Sequence, residues 1–167
     1  MTVLRKLIAA IVVALPMAVL QSPAWAGDIV DVASKAGNFT TLIKAIKQAG
    51  LEETLKGDGP FTLFAPTDEA FAKVPERLLQ ALFHLPNKDG LAFVLKYHVL
   101  SGKMLSKDLA GKMHNIKTLQ GDELAIDATN ELMADKAKIV KADIAASNGV
   151  IHAVDTLILP PDLRGSF

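Results

Sequence analysis

Four histidines, His84, His98, His114 and His152, carry most of the chemistry open to this chain, because the sequence contains no cysteine. An imidazole can ligate a metal, move a proton or satisfy a buried hydrogen bond. No H-x-H or H-E-x-x-H pair occurs, so local spacing sets no two imidazoles on one face, and a metal site would need convergence in three dimensions. The missing thiols exclude thiol catalysis, cysteine-ligated zinc and a lipid-modified cysteine. Ser147, His152 and Asp155 fall within nine residues and invite a catalytic triad. Strand alternation, however, sends His152 and Asp155 to opposite faces, and there is no G-x-S-x-G elbow. Ser147, Asn148 and Gly149 read instead as a turn entering a strand. Asp68 with Glu69 suits a helix dipole, and Glu52 with Glu53 a solvated helical face. No glycine-rich phosphate loop follows a strand. Neither a catalytic residue nor a cofactor or metal is expected.

The elements that must position these residues fall into two groups. In "NFTTLIKAIKQAG", Asn38 is placed to cap a helix whose apolar positions are Leu42, Ile43 and Ile46, and Gly50 ends it. Asn38 also opens an Asn-Phe-Thr sequon, incidental beside its capping role. "FTLFA" reads as a short strand, after which Thr67 caps a helix that Asp68 and Glu69 favour through its dipole. Pro75 ends that helix and begins "PERLLQALF". In "NKDGLAFVLKYHVL", Leu91, Val94, Leu95 and His98 share one helical face. Ser106 is placed as another cap. The period then alternates through "HNIKTL", "ELAIDA", "LMADKA" and "KIVKADIA" to "NGVIHAVDTLIL". Helices first and strands last suggest an α+β domain with one mostly antiparallel layer. His152 in the last strand is expected to be buried, neutral and hydrogen-bonded, with Tyr97 and His98 as neighbours. Strict alternation puts Val140, Ala142 and Ile144 on the apolar face, and Lys141 and Asp143 on the other.

The first 26 residues read differently. Arg5 and Lys6, an apolar run from Leu7 to Leu20 and the small residues Ala24 and Ala26 form a secretory signal peptide, expected to be cut after Ala26. Pro16 interrupts the run, which is shorter than the ~20 residues of a membrane span. Residues 27–161 are expected to form one domain and 162–167 a short tail that carries no core pattern. The mature chain keeps 16 basic and 18 acidic residues, with no basic stretch to follow a phosphate backbone, so no nucleic acid is expected as a partner. No stable membrane insertion is expected, and the exported, disulfide-free domain must rest on its core. A monomer, extracellular or periplasmic, is the expected state.

Three stretches together resemble the fasciclin family. "FTLFAPTDEAF" is similar to its first box, "KYHVL" to its tyrosine–histidine motif, and "SNGVIHAVDTLILP" to its second box, in matching order. The resemblance implies a β-wedge or sandwich packed with several α-helices. It also implies adhesion or binding of cell-surface and matrix proteins or polysaccharides, without enzymatic activity. Thr67, Asp68, Asn148, Gly149, His152 and Asp155 are the motif residues given structural roles. By the same resemblance Tyr97, His98, Asp143 and Ile144 would be the partner-contacting residues. A regular strand would keep Asp143 and Ile144 from facing one partner together. Two other readings stay open: a metal protein or enzyme built on His98 and His152, and a carrier of a small apolar ligand in an enclosed pocket.

Overall fold

The structure, a computed structural model, describes residues 27–84 and 88–164. The expected signal peptide, residues 1–26, lies outside the described residues, as do residues 165–167 of the expected tail. Among the described residues the chain forms α1 (Ile29–Ala36), α2 (Thr40–Gln48), α3 (Glu52–Lys56), β1 (Phe61–Pro66), α4 (Asp68–Ala72), α5 (Glu76–His84) and α6 (Lys88–Tyr97). These lead into β2 (Val99–Ser101), α7 (Ser106–Leu109), β3 (Met113–Lys117), β4 (Glu123–Asp127), β5 (Met133–Ala134), β6 (Ala137–Ala146) and β7 (Gly149–Val154). The α+β expectation holds, with helices gathered against a mixed sheet.

The strands lie in the order β2-β1-β7-β6-β5-β4-β3. Five of the neighbouring pairs are antiparallel, and β1 with β7 is parallel. A parallel pair is normally covered on both faces, and here every residue of β7 is buried, as is β1 after Phe61. Leu63, Ala65, Ile151 and Ala153 point into a core shared with Ile29, Leu42, Ile46, Val94 and Leu95 of the helices. Phe64 and Val154 point the other way, into a second core with Tyr97, Leu100, Leu124, Ile126 and Ile158. The two ends of the strand order meet around that second core. Leu100 of β2 bridges to Thr118 just after β3, and Leu119 N–H donates to the Val99 carbonyl at 2.8 Å. The sheet is therefore a wedge folded over its own apolar filling.

Four local expectations are corrected. Asn38 does not cap α2: its side chain makes no such bond, and Asp68 accepts from Thr40 N–H at 3.1 Å and Thr41 N–H at 2.7 Å. A carboxylate brought across by tertiary structure outcompetes the nearer amide because it accepts two free helix-end donors at once. Strand β2 directly follows the Tyr97–His98 helix end, where helical spacing had concealed it. "LMADKA" is two strands around a turn at Asp135, whose φ of 55° ends β5. The tail has core contact after all, since Leu163 packs on the helix-side core and Arg164 pairs with Asp135 at 2.7 Å. Thr67 caps α4 as expected, accepting from Ala70 N–H at 3.2 Å.

Candidate functional site

The last strand and its neighbours are stitched by side chains that each satisfy several backbone groups. Asn148 accepts from Ile29 N–H at 2.9 Å, capping the start of α1. Its amide donates to the carbonyls of Leu55 at 2.7 Å and Gly57 at 2.8 Å. Three segments distant in sequence thus close on one side chain. Gly149 lets β7 approach β1, because a Cβ there would collide with the Phe61 carbonyl. Asp155 accepts from Lys138 N–H at 2.9 Å and Thr156 Oγ1 at 3.0 Å, and pairs with Lys73 at 3.4 Å. Burial raises the Asp155 carboxyl, but its donors from Lys138, Thr156 and Lys73 outweigh this and hold it below its usual value. Asp68 is held down in the same sense, burial being outweighed by its donors Thr41 and Thr40.

His152 is fully buried. Asp143 N–H points at its Nδ1, 3.2 Å away, and an amide can only donate, so Nδ1 is the bare nitrogen and Nε2–H donates to the Met104 carbonyl at 2.8 Å. The ring stacks on Phe64 with centroids 5.5 Å apart. Burial pushes its pKa down, against the opposing pull of the Met104 bond and the Asp143 charge. His98 is equally buried and has the opposite tautomer. Its Nδ1–H donates to the Val94 carbonyl at 2.8 Å, and its Nε2 accepts from Ile158 N–H at 3.1 Å. Burial lowers its pKa to about 4. The two rings share no hydrogen bond. The link between them is Phe64, whose N–H donates to the His98 carbonyl at 2.8 Å while its ring stacks on His152.

Neither histidine therefore keeps a free nitrogen for a metal or a travelling proton. His114 spends Nε2 on the Leu109 carbonyl at 3.1 Å. Among the described residues no group of three or more His, Cys, Asp or Glu side chains is arranged to hold a metal. Ser147 is exposed, its N–H bonded to the Gly27 carbonyl, and it does not assemble with His152 and Asp155. Tyr97 and His98, expected by resemblance to meet a partner, are 1% and 0% exposed. Tyr97 donates its hydroxyl to the Glu123 carbonyl at 3.1 Å, so both belong to the core and present no surface.

Asp143 and Ile144 behave in the opposite way. The pairing of β6 with β7 slips twice, between Ile139 and Lys141 and again between Lys141 and Ile144. Each slip adds a residue to β6, so strict alternation fails, and Val140, expected on the apolar face, is 55% exposed. Asp143 takes a φ of 58°, turns its N–H to His152, and gives its carboxylate to α7. Oδ1 accepts from Ser106 N–H at 2.8 Å and Oδ2 from the Ser106 hydroxyl. Ser106 is thus the capped residue and not the cap. Burial raises the Asp143 carboxyl, but the Ser106 donors outweigh it and leave the pKa low. The bulge brings Asp143 and Ile144 together into the wall of one open cleft of about 580 Å³. Lys141, Ala142 and Ala145 continue that wall, and Val32, Lys35 and Ala36 of α1 stand opposite. Lys35 and Lys141 carried no motif and were legible only as surface charge, so their meeting across the cleft had no sequence signal.

The fold matches a known class. The fasciclin domain model covers residues 37–160. Protein sll1483 of Synechocystis sp. is 41% identical over 134 residues, 80% of this chain and 73% of that protein. A second Synechocystis protein, sll1735, is 39% identical over 132 residues, 79% of this chain and 97% of its own length. Transforming growth factor-beta-induced protein ig-h3 of Sus scrofa is 40% identical over 136 residues, which are 81% of this chain but 20% of that protein. The fold resembles that of a FAS1 domain pair from the insect cell adhesion molecule fasciclin I, with a TM-score of 0.65 and 18% identity over 82% of this chain. This chain spans about half, 52%, of that domain pair. The chain belongs to the fasciclin family. No helix among the described residues is long and apolar enough to cross a membrane.

Proposed function

We propose that this chain is an exported, monomeric binding module that contacts a cell-surface or matrix component through the cleft between α1 and β6, with no reaction catalysed and no cofactor held. The observation that carries this reading is the double slip in β6, which presents Asp143 and Ile144 on one open wall while the family's histidines stay sealed inside. Polar groups shaped for chemistry keep unsatisfied valences or shifted protons near solvent; here the histidines are committed to backbone. The open form of the cleft favours a surface partner over a carried small ligand, which calls for an enclosed chamber. The names of relatives point the same way, one being a cell adhesion molecule and another the "Cell surface glycolipoprotein MPB83" of Mycobacterium bovis, 31% identical over 155 residues.

The test is retention. Immobilised mature domain is offered envelope extracts and matrix polysaccharides, beside Ala36→Arg, which obstructs the cleft, and Met113→Arg, at a site 69% exposed that does not line it. A component kept by the native domain and by Met113→Arg but released by Ala36→Arg supports the reading. Equal retention by all three, or by none, overturns it. Export is checked separately by the intact mass of secreted protein, which should correspond to a chain beginning at Gly27.

A further inference from the structure

Strand β6 has an incomplete neighbour. On one side β7 pairs with it from Ile139 to Ala146, whereas on the other β5 reaches only Ala137 and Lys138, helped by one bond from Ile139 N–H to the Leu132 carbonyl at 3.0 Å. From Val140 to Ala146 no strand among the described residues occupies that second side. A free edge offers N–H and C=O groups to another chain unless it is covered or made unsuitable. The cleft lies beside this stretch. Its wall takes in five consecutive residues, Lys141 to Ala145, whereas one face of a regular strand would contribute only alternate ones. A smaller cleft of about 390 Å³ shares Asn38 with the first and continues past Val140 to Asp68, Glu69 and Asp155.

Charge selects what this groove can take. Lys35 and Lys141 enter no ion pair among the described residues, and the carboxylate at their end, Asp143, is engaged by Ser106. At the far end Asp68 is engaged by the start of α2, and Asp155 by Lys138 N–H and Lys73. Along Lys141 to Ala145 the uncommitted charge is thus basic, over an apolar floor of Val32, Ala142, Ile144 and Ala145, while Glu69, in no ion pair among the described residues, lies in the smaller cleft beyond Val140.

Resting on the reading that this face binds a partner, we propose that the occupant is an extended acidic segment of a protein, added as a strand to the free edge of β6 with its carboxylates on Lys35 and Lys141. At ~3.4 Å per residue, the stretch from Val140 to Ala145 accommodates about six residues. Main-chain bonds along the edge supply affinity, and alternate side chains facing the apolar floor supply selection. The two slips in β6 twist the edge and act against indiscriminate pairing, leaving charge to choose the segment.

The purified mature domain, labelled with nitrogen-15, is titrated with a blocked peptide Asp-Val-Thr-Val-Asp-Val. Comparison ligands are its charge-reversed form with Lys for Asp, the acidic peptide N-methylated at alternate amides, and laurate. The acidic peptide should shift the amides of Lys141 to Ala145 and slow their hydrogen exchange. The N-methylated and basic peptides should bind about tenfold more weakly, the loss expected of one or two missing main-chain or charged contacts. The double variant Lys35→Glu with Lys141→Glu, both at exposed positions, should reverse the charge preference. Equal binding of the N-methylated peptide, equal binding of the basic peptide, or displacement of the acidic peptide by laurate would each overturn edge addition. So would silence at those amides in a domain that still retains envelope components, a result that leaves the broader binding role standing; loss of that retention instead refutes the binding role.

Discussion

His98 and His152 are both sealed from solvent and bonded through both ring nitrogens, yet they hold different parts of the molecule. His98 joins the end of α6, through Val94, to the segment after β7, through Ile158; both partners lie in the interior. His152 joins β7 to the loop at Met104 and to the Asp143 bulge, which borders the cleft. One histidine closes the core. The other carries the rigidity of the core outward to the surface we assign to binding. The opposite tautomers follow from which ring nitrogen meets a carbonyl and which meets an N–H.

The largest expected effect comes from His98→Ala. It strands the Val94 carbonyl and the Ile158 N–H inside the core and leaves a cavity. At ~1–3 kcal/mol per orphaned group, with the cavity added, the loss is about 3–5 kcal/mol by equilibrium denaturation. His152→Ala should cost somewhat less, about 2–4 kcal/mol, because its partners lie nearer solvent. It should also weaken cleft binding beyond what unfolding accounts for, since Asp143 N–H loses its acceptor. His152→Asn sharpens the contrast: a side-chain oxygen placed near Nδ1 keeps that acceptor while the bond to Met104 is lost, so binding should recover more than stability does. If the two alanine variants, measured where both remain folded, bind alike, the division of labour between the histidines fails.

Acid should act on the same pair. Both folded-state pKa values are depressed, His98 to about 4. The unfolded chain therefore takes up protons first, near its ordinary ~6.5. Stability from this source is complete above about pH 6.5 and declines as pH falls toward 4. For His98 the decline reaches up to about 3 kcal/mol, at ~1.4 kcal/mol for each tenfold loss of proton affinity on folding. Asp68, Asp143 and Asp155 are also depressed, but their contribution is lost only as pH falls below the carboxylate range near ~4. Denaturation midpoints measured from pH 7.5 to 4.5 thus isolate the histidines. A flat profile there would show that the rings do not fold neutral.

The contrast also marks what could be read in the sequence. Burial of His98 and His152 was legible because apolar neighbours at helical and strand periods surround them, and Thr67 was legible as a cap because its donors are three residues away. The partners of Asp68, Asn148 and Asp143 were not. Asp68 caps a helix that starts 28 residues earlier in the chain, and Asn148 reaches back 119 residues to Ile29. Local propensity contains no contribution from either distance. The alternation rule failed in β6 for a related reason: the slip is held by a histidine on the next strand and a serine on α7, and a period-two pattern assumes neither.

Asp143 gives the smallest and most discriminating change. Read as a plain exposed strand residue, it would be replaceable at less than about 0.5 kcal/mol. The structure gives it two further costs. It caps α7 through Ser106, a contact usually lost at ~1 kcal/mol, and it sits at φ 58°, where a residue with a Cβ and no local polar compensation is disfavoured by ~1–2 kcal/mol. Asp143→Ala loses the cap and adds the backbone penalty, for about 2 kcal/mol in all. Asp143→Gly loses the cap but adopts the backbone freely, so it should cost about 1 kcal/mol and exceed the alanine variant in stability, reversing the usual order for a strand. If alanine proves the more stable of the two, the bulge relaxes to an ordinary strand without its carboxylate. Asp143 and Ile144 would then no longer share a wall, and the cleft would depend on that one carboxylate rather than on His152.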